Sequence, residues 1–264
     1  MLLFPEDPHE CFEFGAAALD LAERLQTPIF LMSDLDIGMN HRLCAPFSWD
    51  DARHYDRGKV MSAEDLEAGK EFGRYLDVDG DGIPFRTLPG VHPTRGAYFT
   101  RGSTRDAYAR YSEAGADYVY NMERLLRKFD SAKLLVPQPV TRTPARKANG
   151  AVIYYGSTSP AMDEALGLLE QENVHLTSMR IRAFPFPQAV DDLIAKHERV
   201  FVVEQNRDAQ LRTLLVNELG VDPARLVPIL HYDGTPITAR FIAQAIAARA
   251  KPSNVRSLKS GKAA

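Results

Sequence analysis

The sequence predicts an α/β protein, and three observations carry that reading. Strand and helix signals alternate four times from Ala151 onward. The clearest strand signal there, Val200–Val203, is a short unbroken apolar run of the kind a parallel sheet buries on both faces. A helix feeding another such run, residues 7–34, opens the chain. At 264 residues the chain has room for one large or two modest domains. It is 45% apolar and 25% charged, which argues against wholesale disorder. A net charge of −3 gives no electrostatic reason to expect a nucleic-acid partner. No run of 18 apolar residues occurs, so no membrane-spanning helix is expected. The opening residues lack the basic start and long apolar core of a signal peptide, which makes a cytoplasmic location the expectation.

The elements follow in order. Asp7-Pro8-His9-Glu10 is a helix start: a capping side chain, proline at the first turn and an acid three residues past the cap. Cys11, Phe14, Ala18, Leu21 and Leu25 then share one face, and Thr27-Pro28 stops the helix. Ile29–Met32 reads as a buried parallel strand. With nothing evident before the helix, residues 1–40 read as the end of a sheet whose earlier strands are missing. Residues 41–137 read as an irregular connecting region. Within it Ser62 caps a helix running to about Tyr75, and Val119, Met122, Leu126 and Phe129 mark a second helix. Residues 138–150 read as an exposed linker.

Residues 151–250 are regular. The strand candidates are 151–155, 175–181, 200–203 and 226–230. Between and after them lie four helices, with apolar faces at Met162, Leu166 and Leu169; at Val190, Leu193 and Ile194; at Leu211, Leu214, Leu215 and Leu219; and at Phe241, Ile242, Ala245 and Ile246. Asp208 is the expected cap of the third. Together these make a three-layer α/β domain with a mainly parallel sheet. Residues 251–264 carry four cations and no acid, and are expected to be a disordered tail.

Few motifs carry chemistry. Asp77-Val78-Asp79-Gly80-Asp81-Gly82 looks like the start of a calcium loop, but Phe85 and Leu88 stand where ligands belong and Pro84 interrupts it. An acidic turn is the better reading, with weak cation binding left open. Gly156-Ser157-Thr158-Ser159-Pro160 joins a strand to a helix; its amides and hydroxyls suit an anion or simply cap the helix. Glu204, Gln205 and Asn206 follow the strongest strand, where α/β sheets gather ligands and partners. They also suit a plain strand-to-helix turn. Ser157, Thr158, Glu204, Gln205 and Asn206 are therefore the candidate interface or anion site. The chain has no GxSxG elbow, Walker lysine or HExxH pair. Its two cysteines, Cys11 and Cys44, cannot supply the four thiolates of an ordinary iron–sulfur cluster and read as free thiols. No catalytic or metal-binding residue is assigned.

The order of several short signatures resembles the carboxyl-terminal part of the α subunit of 2-oxoacid:ferredoxin oxidoreductases, nearest the 2-oxoglutarate type. They are Phe4-Pro5-Glu6-Asp7 through Met32-Ser33-Asp34, then Tyr55–Val60, Arg86-Thr87-Leu88-Pro89-Gly90, Arg101-Gly102-Ser103 and Asn121–Leu125. Gly156-Ser157-Thr158, Pro185-Phe186-Pro187, Glu204-Gln205-Asn206 and Asp233-Gly234-Thr235-Pro236 complete the series. The resemblance implies that residues 1–40 end a pyrimidine-binding domain and that 151–250 are a transketolase C-terminal-like domain. Family members carry much more chain before this point, so it also implies a fragment or a split gene product.

The implied reaction is thiamine-dependent oxidative decarboxylation of a 2-oxoacid to its acyl-coenzyme A, with electrons passing through iron–sulfur clusters to ferredoxin. On the same resemblance, the acid that contacts the aminopyrimidine lies upstream of Met1. The β subunit holds the diphosphate and its magnesium, so no cofactor is expected on this chain alone, and it is expected to be inactive alone. The expected partners are that β subunit, ferredoxin, the 2-oxoacid and coenzyme A. Two alternatives remain: a non-catalytic assembly module, and a transketolase- or E1-like subunit that transfers acyl groups without ferredoxin.

Overall fold

The structure is a computed structural model that describes residues 1–250. The expected tail, 251–264, lies outside the described residues. The chain forms two compact units. The first holds Met1–Pro139 together with Arg182–Val190; the second holds Val140–Ile181 and the residues from Asp191 on.

The first unit begins with a strand that the sequence reading missed, β1 (Leu2–Leu3). Helix α1 (Pro8–Leu25) follows, started as its sequence dictates: the Glu10 amide donates to Asp7 Oδ1 at 2.7 Å. Phe14, Leu21 and Leu25 of α1 are buried, and Gln26 ends the helix in a left-handed conformation. Strand β2 (Phe30–Leu31) pairs parallel to β1. It is not the buried strand expected. It is the outer strand of a three-stranded sheet, and both its side chains are exposed. On the other side of β1, β6 (Ala183–Phe184) pairs antiparallel, which makes the unit discontinuous in sequence. Nearby, the half-buried Arg182 guanidinium meets the buried Glu10 carboxylate at 2.7 Å.

Asp34 caps a short helix that the sequence reading did not anticipate, α2 (Leu35–Met39). Ser62 caps α3 (Ala63–Glu67) in a reciprocal capping box with Asp65. That helix stops well short of Tyr75, because Gly69 follows with a φ of +78°.

Helix α4 (Gly115–Ala132) is present, but its faces are inverted. The residues that marked it in sequence are its outer face: Val119 is 53% exposed, Met122 40%, Leu126 67% and Phe129 36%. Its buried face holds Asn121, Arg124 and Lys128, each at most 8% exposed. The cause is what α4 packs against. Its neighbour is an irregular chain whose backbone carbonyls lack ladder partners, and a buried carbonyl needs a donor. Asn121 Nδ2 donates to the Arg105 carbonyl at 2.7 Å, Arg124 to that of Gly82 at 3.0 Å and Ser131 Oγ to that of Asp81 at 2.7 Å. Lys128 Nζ reaches the Gln26 carbonyl and Thr27 Oγ1, both at 3.3 Å. Burial, aided by the neighbouring Arg124 and Arg74 charges, lowers the Lys128 ammonium to about 8.

The second unit is an α/β body around a five-stranded sheet in the order β3-β5-β4-β7-β8. Its strands are β3 (Val140–Arg142), β4 (Gly150–Tyr155), β5 (Leu176–Ile181), β7 (Val200–Glu204) and β8 (Leu226–Leu230). All pairs are parallel except β3 with β5. The stretch expected as a linker thus supplies an edge strand. The helices are α5 (Ser159–Gln171), α6 (Gln188–Lys196), of which the residues from Asp191 on belong to this unit, α7 (Gln210–Leu219) and α8 (Ala239–Ala250). Val152 and Tyr154 pack with Met162 and Leu169 of α5 and Ile242 and Ile246 of α8. Ala151 and Ile153, which alternate to the other face, are equally buried. No helix among the described residues is long and apolar enough to cross a membrane.

Two tests follow from the α4 contact. Gly80 and Gly82 have similar positive φ values, +82° and +77°, but only Gly82 is crowded. A Cβ there would stand 2.4 Å from both the Arg124 carbonyl oxygen and the Lys128 nitrogen. Gly80→Ala should cost about 1 kcal/mol in denaturant unfolding, from backbone strain alone, and Gly82→Ala about 3 kcal/mol or more. Equal losses would show that the close approach of α4 is not what fixes this glycine. The second test is pH. Folded Lys128 titrates near 8 and an unfolded lysine near 10.5, so unfolding takes up a proton between those values. Stability should therefore rise across that window relative to Lys128→Met, which lacks the titration.

Candidate functional site

The second unit places its polar candidates at the carboxyl ends of the strands. β4 connects through α5 to β5 on one side of it, while β7 lies on its other side. Strand order therefore reverses between β4 and β7, and a doubly wound sheet opens its crevice at such a point. Ser157 and Thr158 follow β4, in a short 3-10 turn before α5. Gln205 follows β7, and its Nε2 donates to Ser157 Oγ at 2.9 Å and Thr158 Oγ1 at 3.2 Å. Three of the five candidates thus meet across the reversal point. Both hydroxyl residues are buried.

Glu204 and Asn206 turn the other way. Glu204 is completely buried, and its Oε2 and Oε1 accept the Leu211 and Arg212 amides at 2.7 and 2.9 Å. Asn206 Nδ2 donates to Glu204 Oε2 at 2.8 Å, while its Oδ1 accepts the Asp208 and Gln210 amides. These are the free amides at the start of α7, where an anionic oxygen is favoured. Asp208 is therefore not the cap. Ala209, in a left-handed conformation, stands at the cap position, and Asp208 pairs with Arg207. A carboxylate seven residues before its helical partner leaves no local spacing signal, which is why the sequence reading missed it.

The sequence reading also passed over His231. It follows β8, its amide bonds the Glu204 carbonyl at 2.9 Å, and its ring meets Phe241 edge-on at 4.9 Å. Nε2 lies 3.4 Å from Asp233 Oδ1, and Asp233 is held below the usual carboxylate range chiefly by the Thr235 amide. A cleft of about 410 Å³ in this unit lies at the opposite, amino end of the sheet. Two arginines line it, and both are engaged: Arg199 donates to the Arg249 carbonyl and Arg225 to that of His197, each at 2.7 Å.

In the first unit, carboxylate oxygens of Asp77, Asp79 and Asp81 lie within 4.8 Å of one another. An internal cation sits among them. Lys59 Nζ donates to Asp79 and Asp81 at 2.7 Å and to the Ile83 carbonyl at 2.9 Å. Burial acts to lower the Lys59 ammonium, but the two carboxylates outweigh it and raise it. Asp77 accepts the Gly80 and Gly82 amides and pairs with Arg127 at 3.0 Å. The loop is an acidic turn neutralised from within. His92 is likewise built into a turn, its Nδ1 accepting the Thr94 and Arg95 amides and its Nε2 bonded to Glu67.

No protein-family model matches the chain. It is similar to the α subunits of 2-oxoacid:ferredoxin oxidoreductases. That of Saccharolobus solfataricus is 26% identical over 249 residues, 92% of this chain and 38% of the relative. That of the second enzyme of Aeropyrum pernix is 26% identical over 251 residues, 93% of this chain and 37% of the relative. The chain therefore spans under two fifths of the length of these relatives. Among solved structures, the 2-oxoglutarate:ferredoxin oxidoreductase of Magnetococcus marinus superposes with a TM-score of 0.79 at 20% identity, over 95% of this chain and 42% of that one. The last likeness is one of fold.

The α7 start supplies a prediction. Glu204→Ala should destabilise the protein by about 2–4 kcal/mol in thermal or urea unfolding, since it strips the buried Leu211 amide and the part-buried Arg212 amide of their acceptor. Asp208→Ala should change stability by no more than about 0.5 kcal/mol. The reverse ranking would restore Asp208 as the cap.

Proposed function

We propose that this chain is part of the α subunit of a 2-oxoacid:ferredoxin oxidoreductase, with 2-oxoglutarate as the 2-oxoacid, and that it works only inside a larger assembly. The observation that carries this reading is collinear similarity to named α subunits over more than nine tenths of the chain. In the assembly a 2-oxoacid is decarboxylated and oxidised, coenzyme A takes the acyl group and ferredoxin the electrons. The 2-oxoglutarate-specific part rests on the order of the short signatures, and on the Magnetococcus marinus enzyme, solved with 2-oxoglutarate, coenzyme A and succinyl-CoA, which shares the fold.

The residues of this chain do not fit the redox groups. Cys11 is half-buried and Cys44 exposed, and two thiols do not make a cluster set. The carboxylate group that would suit magnesium already holds Lys59. We therefore assign thiamine diphosphate, magnesium and the clusters to the companion β subunit and to α-subunit sequence outside this chain. What this chain offers is surface. Phe30 and Met32 turn their amides to β1, so the Leu31 amide and carbonyl face the edge of the sheet that no strand covers among the described residues. An open parallel edge accepts another strand. Of the polar carboxyl-end group, Ser157, Thr158 and Gln205 are the part proposed to meet an anion or a partner; Glu204 and Asn206 are engaged in holding α7.

The test is to purify the assembly containing this chain and assay reduction of ferredoxin or methyl viologen with 2-oxoglutarate and coenzyme A. Turnover that depends on this chain and on 2-oxoglutarate is expected, together with no saturable binding of thiamine diphosphate by the isolated chain in calorimetry. Equal turnover without the chain would leave only the assembly module. Acyl transfer without reduction of either acceptor would favour the E1-like reading.

A further inference from the structure

We propose that His92 is an acid-operated latch on residues 87–98: the neutral ring ties the turn that joins the two walls of a small cavity, and protonation of the ring releases that turn. The ring is engaged through both nitrogens. Nδ1 accepts the Arg95 amide at 2.9 Å and the Thr94 amide at 3.1 Å. Nε2 lies 2.6 Å from Glu67 Oε1. The His92 side chain is 6% exposed, although Pro93, Thr94 and Arg95 are at the surface.

These bonds fix the tautomer. A neutral imidazole has one donor nitrogen and one acceptor, whereas an imidazolium has two donors. Two amides point at Nδ1, so the ring proton sits on Nε2 and is donated to Glu67. A proton added to Nδ1 would face two N–H groups. Both bonds would be lost, and both amides would need another acceptor. The Nε2 bond responds in the opposite sense, because a charged ring binds a carboxylate more strongly than a neutral one. Glu67 therefore keeps the ring on α3 while the turn lets go. Histidine is the side chain that ordinarily titrates between about pH 5 and 8, so mild acid is the condition that works the latch.

The charges beside the ring are Glu67, which faces it from α3, and Arg95, in its own loop and 3.9 Å from Glu67 Oε2. Glu67 is held below the usual carboxylate range, first by the His92 bond and then by the His92 and Arg95 charges, so it stays ionised while the ring takes up its proton. The cavity has a volume of about 380 Å³, and its walls are residues 87–92 and 95–98. Two further bonds limit the movement. Thr87 Oγ1 donates to the Gly96 carbonyl and Arg95 Nη1 to that of Leu66, each at 2.6 Å. Neither involves the imidazole, so the walls stay joined at their base and part at the turn. The inference stands apart from the oxidoreductase reading, and so does its test.

The test is amide–water exchange in the whole chain, read residue by residue by NMR and corrected for the intrinsic pH dependence of exchange. Between about pH 8 and pH 5.5, Thr94 and Arg95 should lose protection about tenfold or more, with the midpoint of the His92 ring titration, while the amides of α4 keep theirs. The ring nitrogen shifts at the alkaline end should place the proton on Nε2. His92→Asn puts an amide oxygen near the position of Nδ1 and cannot take up a proton, so protection at Thr94 and Arg95 should persist through the same range. Glu67→Gln removes the charge that favours the imidazolium and should move the release to lower pH. A proton on Nδ1 at the alkaline end, a ring that stays neutral throughout, or Thr94 and Arg95 amides that keep their protection as the ring titrates would overturn the proposal. So would the same pH-dependent loss of protection in His92→Asn.

Discussion

The first unit depends on a row of side-chain donors along α4 that meet the carbonyls of a chain with almost no ladder of its own. Between Asn40 and Ala114 regular structure amounts to the five residues of α3 and two isolated bridges. Such a segment folds compactly only if its buried carbonyls find donors elsewhere. Helix α4 supplies them from Asn121, Arg124 and Ser131, and the tight turn at Gly82 lets its backbone come close enough, while Lys128 serves the Gln26 carbonyl at the end of α1. Tyr120 adds a bidirectional link, its hydroxyl accepting the Asp77 amide and donating to the Tyr75 carbonyl.

That constraint explains why part of the fold was legible in the sequence and part was not. Apolar spacing reports that a helix is two-sided, and α4 is two-sided. It does not report which side is covered. For α5 and α8 the neighbour is a sheet, so Met162, Leu169, Ile242 and Ile246 point inward as their spacing suggests. For α4 the neighbour is bare backbone, and the polar side is the one that fits. The strands show the same division. β4, β5 and β7 are buried on both faces; β4 and β7 announce themselves as apolar runs, while β5 carries Thr177, Ser178 and Arg180 among its apolar residues. β1, β3 and β6 have two or three residues each, too few for any periodicity, and exist because a neighbour's edge was open to pair with.

The candidate site divides in the same way. Position at the end of a strongly apolar strand correctly drew attention to residues 204–206, and the reversal of strand order brings Gln205 to Ser157 and Thr158. Sequence could not separate Glu204 from Gln205, because their difference lies in which direction each side chain leaves the strand end. Successive residues of an extended chain point to opposite sides. Glu204 is carried to the amides of α7 and Gln205 to the β4 turn, so two adjacent polar residues perform unrelated tasks.

Satisfying backbone from the side chains of one helix has a consequence for the surface of that helix. A residue cannot face inward as a donor and outward as a solubilising group. With Asn121, Arg124, Lys128 and Ser131 committed to carbonyls, the outer face of α4 is left largely apolar, with Glu123, Asp130 and the part-exposed Arg127, which pairs with Asp77, beside it. The polarity of each face of α4 is thus set by what its inner side must bond, bare carbonyls in place of a sheet.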